Sequence, residues 1–210
     1  MVPQPMGYGL DDQARWWRAY QLAESDQADE LRRLAAAGDD HSRRQLARWL
    51  ADRAWSDQAT MEEAIAVIRP LADAGDDVAE LWLARWLADS DLLDELRHWA
   101  AACGFHALGE LVRRLAEQNR PSEVRELAMA ADPEKRMLIL RAAREACSPG
   151  MDMTRMCADL GDEPARHGLI RWLARTGQLD ELRERAEGGD DYARDWLAVA
   201  LRRRFDPHGR

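Results

Sequence analysis

The sequence contains little lysine and no long apolar run. Lys135 is the only lysine among 30 basic residues, and 39 Asp and Glu bring the net charge to −9 at pH 7. Proteins that bind a phosphate backbone need basic surface, so this balance argues against nucleic acid as a partner. No apolar stretch approaches the ~18 residues of a membrane span, and the first ten residues lack signal-peptide features. We therefore expect neither a membrane partner nor secretion.

Cysteine, glycine and proline are scarce as well. The three cysteines, Cys103, Cys147 and Cys157, make no even disulfide framework, which favours a reducing, cytoplasmic location. With 13 Gly, 8 Pro and 46% hydrophobic residues, the 210-residue chain does not have the composition of a disordered polymer. These numbers favour a soluble, acidic, globular protein.

Internal repeats run along the whole chain. Residues 34–52 and 71–89 align at an offset of 37 residues, and further copies share one anchor position. The spacings indicate a unit of about 28 residues, with an insertion of about nine residues near 52–60. The anchors, which mark the expected turn inside each repeat, are Gly38, Gly75, Cys103, Ala131, Gly161 and Gly189.

Each anchor separates two helical patterns, which we call helix A (before it) and helix B (after it). Apolar residues recur 4, 8 and 12 positions after the anchor, the spacing of one helical face. Asp follows five of the six anchors, which predicts an N-cap for helix B. Glycine at the anchor suits a left-handed residue that ends helix A.

These patterns predict an all-α fold, an α-solenoid of about six helix-turn-helix repeats and about thirteen helices. Residues 11–24 fit an additional helix B that caps the N-terminal end. One helical-repeat domain is expected over 11–204, between an N-terminal tail (1–10) and a C-terminal tail (205–210).

An AGD turn, then A-x-x-x-L-A and a closing Leu, is clearest in LADAGDDVAELWLARWLA (71–88). This pattern resembles Sel1-like repeats, which are relatives of the tetratricopeptide repeat, and it covers most of the chain in weaker form. Those families stack helix pairs into a superhelix and serve as scaffolds for protein partners. The resemblance implies a protein-protein interaction scaffold.

Two repeated columns of side chains allow both structural and functional interpretations. Arg occurs six positions before every anchor, where it can bridge to the next repeat or form a cationic stripe for an acidic ligand. The expected role of the tryptophans is packing between successive B helices, and a ligand-stacking platform is the alternative. Six of them share two columns: Trp49, Trp86 and Trp172 lie 11 positions after an anchor, and Trp82 and Trp196 lie 7 positions after one, as Trp17 lies 7 positions after Leu10, which is 28 residues before Gly38.

We expect no catalytic residues, metal site or cofactor. The paired aspartates recur at one column of the repeat, which is typical of helix caps rather than of a catalytic centre. His98, Cys103 and His106 lie on helix A, the turn and helix B, and no fourth ligand has motif spacing. Phosphate-loop, nucleophile and zinc-helix motifs are missing.

The outward face of helix A (positions 9, 5 and 2 before each anchor) carries an excess of acidic residues. Solubility explains part of this excess. In a tetratricopeptide-like array helix A lines the concave surface, so the face also predicts an acidic groove for a basic peptide or protein segment. A small acidic regulator, antitoxin-like, immunity-like or a nucleic-acid mimic, is the alternative, and a helical-repeat nucleic-acid enzyme is less favoured. The expected partner-binding residues are Asp94, His98, Glu126, Met129, Asp152, Met156 and Asp159.

Overall fold

The structure, a computed structural model, describes residues 10–54, 57–103, 105–146 and 150–205. Within these ranges the fold is all-α, without strands. None of the described helices has both the length and the apolarity needed to cross a membrane. The thirteen helices are α1 (Leu10–Glu24), α2 (Ala28–Ala36), α3 (Asp40–Arg53), α4 (Gln58–Asp73), α5 (Asp77–Asp89), α6 (Leu93–Cys103), α7 (Phe105–Glu117), α8 (Pro121–Ala130), α9 (Pro133–Glu145), α10 (Met151–Asp159), α11 (Glu163–Thr176), α12 (Leu179–Glu187) and α13 (Asp191–Phe205).

The order of the helices follows the pattern of the repeats. The even-numbered helices α2 to α12 are the A helices, and the odd-numbered helices α3 to α13 are the B helices. The additional helix B expected at 11–24 is α1, so the predicted helix content is confirmed. Most of each expected tail, residues 1–9 and 206–210, lies outside the described residues.

Contacts between Cα atoms divide the chain into two compact units, one ending at Leu108 and the other beginning at Gly109. In the first unit each helix from α1 to α6 contacts the next, and α1 also contacts α3. In the second unit each helix from α8 to α13 contacts the next, α8 contacts α10, and α11 contacts α13. Contacts limited to near neighbours are typical of stacked helix pairs. The single domain expected over 11–204 remains a prediction.

The core of each unit is built from the repeated apolar columns. Eight positions after the anchors, Leu46, Leu83, Leu111, Ile139 and Leu169 are each no more than 2% exposed. The alanines three positions before the anchors allow helices A and B to approach closely, and Ala72 and Ala128 are almost completely buried. The column eight positions after the anchors therefore identifies the core in five of the six repeats, whereas Leu197 in the last repeat is only partly buried.

The turns between helices A and B follow the sequence prediction at four anchors. Gly38, Gly75, Gly161 and Gly189 have φ values of +91°, +82°, +93° and +97°, a conformation that glycine adopts without steric cost. The N-cap prediction is confirmed at all five aspartates, because the side chain of each accepts a hydrogen bond from the backbone N–H three residues later. These caps are Asp39, Asp76, Asp132, Asp162 and Asp190.

The turn at Ala131 differs from the other described turns between helices A and B. Ala131 is extended, with φ −83° and ψ 150°, because a residue with a Cβ disfavours the left-handed region. Asp132 still caps α9 by accepting from the Lys135 N–H at 2.9 Å, and Pro133 occupies the first helical position. The turn after Cys103 includes Gly104, which lies outside the described residues.

A second left-handed position ends helix B, and the sequence patterns above do not reveal it. Asp26, Asp91, Asn119 and Gly177 have φ values of +60°, +58°, +52° and +74°. Asp91, Asn119 and Gly177 each lie 16 positions after an anchor, and Asp26 lies 16 positions after Leu10, which is 28 residues before Gly38. In each case the following N–H donates to a carbonyl five residues back, as Arg120 does to Leu115 at 2.9 Å. Such paired hydrogen bonds satisfy the last carbonyls of a helix.

Candidate interaction surfaces

The second unit contains most of the expected partner-binding residues, on the helix A face as defined above. Met129 on α8 is 66% exposed, and Glu126 lies one turn before it on the same helix. Asp152 lies in the first turn of α10 and Asp159 ends the helix, and both carboxylates reach solvent. The structure therefore places four of the five expected residues of this unit at the surface.

Met156 is the exception, and its expected exposure is wrong. Its side chain is only 2% exposed and packs in the core together with Met153 and Cys157. These three positions share one face of α10, and that helix is covered by α8, α9 and α11. Met156 is therefore a packing residue and offers no apolar contact to a partner.

The two remaining expected residues, Asp94 and His98, lie on α6 in the first unit. The Asp94 side chain is fully exposed in the first turn of the helix and accepts a hydrogen bond from Arg97 at 2.7 Å. His98 is exposed one turn later. The seven expected residues are therefore divided between the two units, two in the first and five in the second.

Arginines neutralise much of the acidic helix A face. Asp152 is 3.3 Å from Arg155. Asp159 is 2.9 Å from Arg185 and 3.7 Å from Arg125. A basic ligand would therefore meet carboxylates that already have cationic neighbours, which weakens the charge argument for an acidic groove.

The Arg column forms ion pairs along the repeats, as the structural interpretation predicts. Arg32 of α2 is 3.0 Å from Glu63 of α4, and Arg69 of α4 pairs with Glu95 of α6. In the second unit Arg155 of α10 is 3.0 Å from Glu181 of α12. Together with Arg125 and Asp159, these pairs join successive A helices, so four of the six arginines of this column form ion pairs between A helices.

The first unit contains an open groove of about 1000 Å³, which we call the tryptophan groove. Its apolar lining consists of Trp82 and Trp86 on α5, Met61 on α4 and the alanines Ala51 and Ala54. The two indole rings are stacked, with centroids 5.9 Å apart and an angle of 29° between their planes. Both rings remain partly exposed, although Trp86 also packs against the hydrophobic core of the first unit.

Charged side chains surround the apolar lining of the tryptophan groove. Two of them are arginines, each 3.9 Å from an aspartate one turn later on its own helix (Arg48 with Asp52, Arg85 with Asp89). Asp57 and Asp91 also line the groove, which makes four carboxylates against two guanidinium groups. A hydrogen bond from Thr60 holds the pKa of Asp57 below its ordinary value, so this carboxylate is ionised at neutral pH.

Trp49, one repeat earlier, has its ring covered from within the chain. The Arg53 guanidinium lies 3.9 Å from the centroid of the Trp49 ring. Asp26 accepts hydrogen bonds from Arg53 at 2.5 Å and from the Trp49 indole N–H at 3.0 Å. Tryptophan, arginine and aspartate therefore form one closed cluster on the surface of α3.

One cysteine, Cys157, lies in the core of the second unit. Cys157 lines a small cavity of about 180 Å³ in the second unit, and burial raises the pKa of its thiol to about 12. A thiol with such a pKa is protonated at neutral pH and is a poor nucleophile. No group of three or more His, Cys, Asp or Glu among the described residues could hold a metal ion.

Sequence reasoning missed the tryptophan groove because its lining comes from three helices and the inserted segment. The sequence did contain a signal for it. When the chain is aligned with itself at an offset of 37 residues, Ser90 stands where the first copy has Arg53, and Trp82 stands where the first copy has Gln45. Comparison of the chain with protein-family models, with curated proteins and with solved structures finds no match.

Proposed function

We propose that the chain is a non-enzymatic protein-interaction scaffold, built as an α-solenoid of about six helix-turn-helix repeats. The repeated glycines, caps, buried leucines and arginine ion pairs supply the turns and contacts of this architecture. These recurring roles are structural and leave the exposed side chains free to recognise a partner. The resemblance to Sel1-like repeats supports the same function.

The tryptophan groove is the observation that carries this proposal. Binding hot spots in protein interfaces are enriched in Trp, Tyr and Arg that sit in concave, well-packed sites with a polar rim. The stacked, partly exposed rings of Trp82 and Trp86 beside Met61 have this composition, and charged residues surround them. A rigid helix pair would present this surface to a partner at low entropic cost.

A displayed-peptide selection against the full chain tests the proposal. Selected peptides should bind wild-type protein and lose about tenfold or more in affinity when Trp82 or Trp86 is replaced by Ala. Trp17→Ala is the matched control, because Trp17 occupies the same repeat column as Trp82 and is 39% exposed outside the groove. A selection that yields no binder sensitive to Trp82 and Trp86 would contradict the proposal.

The helix A face is a second candidate surface, for a basic peptide or protein segment. Met129 and Glu126 favour it, because both are exposed side by side on α8. Met side chains adapt to varied partners, and carboxylates steer cationic segments.

Replacing Asp94, Glu126, Asp152 and Asp159 by Asn or Gln should weaken binding of an Arg/Lys-rich peptide without loss of helicity. None of these residues caps a B helix. The wild-type affinity should also fall as added salt shortens the Debye length below ~10 Å. Equal affinity of wild type and variant at both low and high salt would rule out this surface.

A further inference from the structure

In the second copy of the repeat, the tryptophan groove lies at the position where the Arg53 side chain covers Trp49 in the first copy. At the offset of 37 residues Trp49 corresponds to Trp86, and the helix that carries each ring has Arg and Asp at the same positions. Arg53, however, corresponds to Ser90. A serine side chain is too short to cover an indole ring, so the second copy has the aromatic surface without its cation.

The column of Asp26 holds an alanine before α4, because Ala54 lies 16 positions after Gly38 as Asp26 lies 16 positions after Leu10. In the first copy Asp26 lies at the turn that precedes helix A and binds both Arg53 and the Trp49 indole. The equivalent stretch before α4 contains the insertion, and from it Ala54 and Asp57 line the groove. Asp57, which also caps α4, is therefore the carboxylate that this stretch contributes to the groove.

The charge of the lining favours a cationic occupant. Among the described residues that line the groove, four carry carboxylates and two carry guanidinium groups, so acidic side chains outnumber basic ones. Indole faces attract cations, and the attraction grows where water is partly excluded. Arginine suits the site better than lysine, because its planar guanidinium can stack on a ring while its N–H groups bind a carboxylate.

We propose that the tryptophan groove binds an arginine side chain presented by a segment of a partner protein. The guanidinium stacks on Trp86, as Arg53 does on Trp49, and donates hydrogen bonds to the carboxylates at the edge of the groove. The apolar lining around Met61 and Trp82 receives the residues next to that arginine. This inference rests on the proposed function, since it names the chemistry of the partner at the same groove.

Three short acetylated and amidated peptides, identical except for a central Arg, Lys or citrulline, test the proposal on the full chain. Citrulline keeps the shape of arginine but lacks its charge. The Arg peptide should shift the NMR signals of the Trp82 and Trp86 indole N–H groups saturably and leave that of Trp17 unchanged. The Lys peptide should bind several-fold more weakly, and the citrulline peptide about tenfold more weakly.

Ser90→Arg is the decisive variant, because it restores the side chain that the first copy has. Ser90 follows the last turn of α5, where a cation is compatible with the helix dipole, so the fold should persist. The new arginine should occupy the groove and reduce binding of the Arg peptide about tenfold or more. Ser90→Gln, of similar length but uncharged, is the control and should reduce binding less.

The outcomes separate this inference from the proposed function. Equal binding of the Arg and citrulline peptides, or undiminished binding by Ser90→Arg, would overturn the arginine proposal. Selected peptides that bind at Trp82 and Trp86 but contain no arginine would also overturn it, while the scaffold function would stand. If the chain forms a dimer and Ser90→Arg dissociates it, the occupant of the groove is a second copy of the chain. The proposal of a separate partner protein would then be wrong.

Discussion

Arg155 on α10 and Glu181 on α12 form a two-pronged ion pair between successive A helices. The Arg155 Nε is 3.2 Å from Oε1 of Glu181, and its Nη2 is 3.0 Å from Oε2. Both side chains are about one-third exposed or less, so water screens the pair only in part. The same Arg column that suggested a cationic stripe thus contributes an ion pair between successive A helices.

Breaking this pair should lower the free energy of unfolding by a small but measurable amount. A double-mutant cycle with Arg155→Ala and Glu181→Ala should give a coupling energy of about 0.5–1 kcal/mol in urea denaturation. Arg183→Ala is the control, because the ion pair described for Arg183 is with Asp180 of its own helix. A coupling energy near zero would show that the ladder contributes nothing to stability.

Replacing each of two glycines in the second unit by alanine should change the free energy of unfolding in opposite directions. Gly161→Ala forces a side chain into φ +93° and should lower the free energy of unfolding by about 1–2 kcal/mol. Gly168 lies within α11, and no neighbouring atom is within 4 Å of the place that a Cβ would take. Gly168→Ala should therefore raise the free energy of unfolding by about 0.5–1 kcal/mol. Thermal or urea unfolding measures both, and a shift of the same sign in the two variants would contradict the turn geometry.

Because of Asp76, the free energy of unfolding of the first unit should depend on pH in the acidic range. Burial raises the pKa of Asp76, but hydrogen bonds from Arg44 and from the Ala79 N–H outweigh it and hold the pKa below its ordinary value. A carboxyl with a lowered folded-state pKa stabilises the fold above about pH 5 and loses that contribution as the pH falls through its folded-state pKa.

Asp76→Asn removes this titration and keeps a residue that caps helices well. The variant should be less stable than wild type at neutral pH, and the difference should shrink as the pH falls below about 4. Asp73→Asn, at an exposed position on α4, is the control and should leave the pH profile unchanged. Parallel wild-type and Asp76→Asn profiles would refute this role for Asp76.

Replacing each of two methionines on adjacent A helices by alanine should change the free energy of unfolding by very different amounts. Met156→Ala empties part of the core between α10 and its neighbours and should cost about 2–5 kcal/mol of unfolding free energy. Met129→Ala removes an exposed side chain and should change it by no more than about 0.5 kcal/mol. Urea unfolding of the two variants checks this, and similar losses would mean that Met156 is not a core residue.

The helices, the core and the turns between helices A and B could be predicted because they recur. Gly and Asp at a fixed column reveal a left-handed residue followed by a cap, and six aligned copies make that column visible. The turns after helix B could not be predicted in this way. Asp26, Asp91, Asn119 and Gly177 share one backbone conformation, yet three residue types fill the position and hide it in the sequence.

The candidate site was less predictable than the fold for two physical reasons. The exposure of a residue on a short helix depends on how many other helices cover that helix. Met156 is buried because α10 contacts three helices. The tryptophan groove depends on a side chain that is missing, since Ser90 leaves uncovered what Arg53 covers in the preceding copy. Aligned columns reveal the residues that the repeats have in common, whereas this groove arises at a position where two copies have different residues.

The hydrogen bonds that end the helices join residues only five positions apart, as in Asp162 N–H to Cys157 C=O at 3.0 Å and Gln178 N–H to Leu173 C=O at 3.0 Å. Every helix-ending turn of this kind closes over a very short loop, so it can form before distant parts of the chain meet. Chains dominated by such short-range contacts have low contact order and fold quickly. Folding of this protein can therefore begin at any of several hairpins and spread to the adjoining ones.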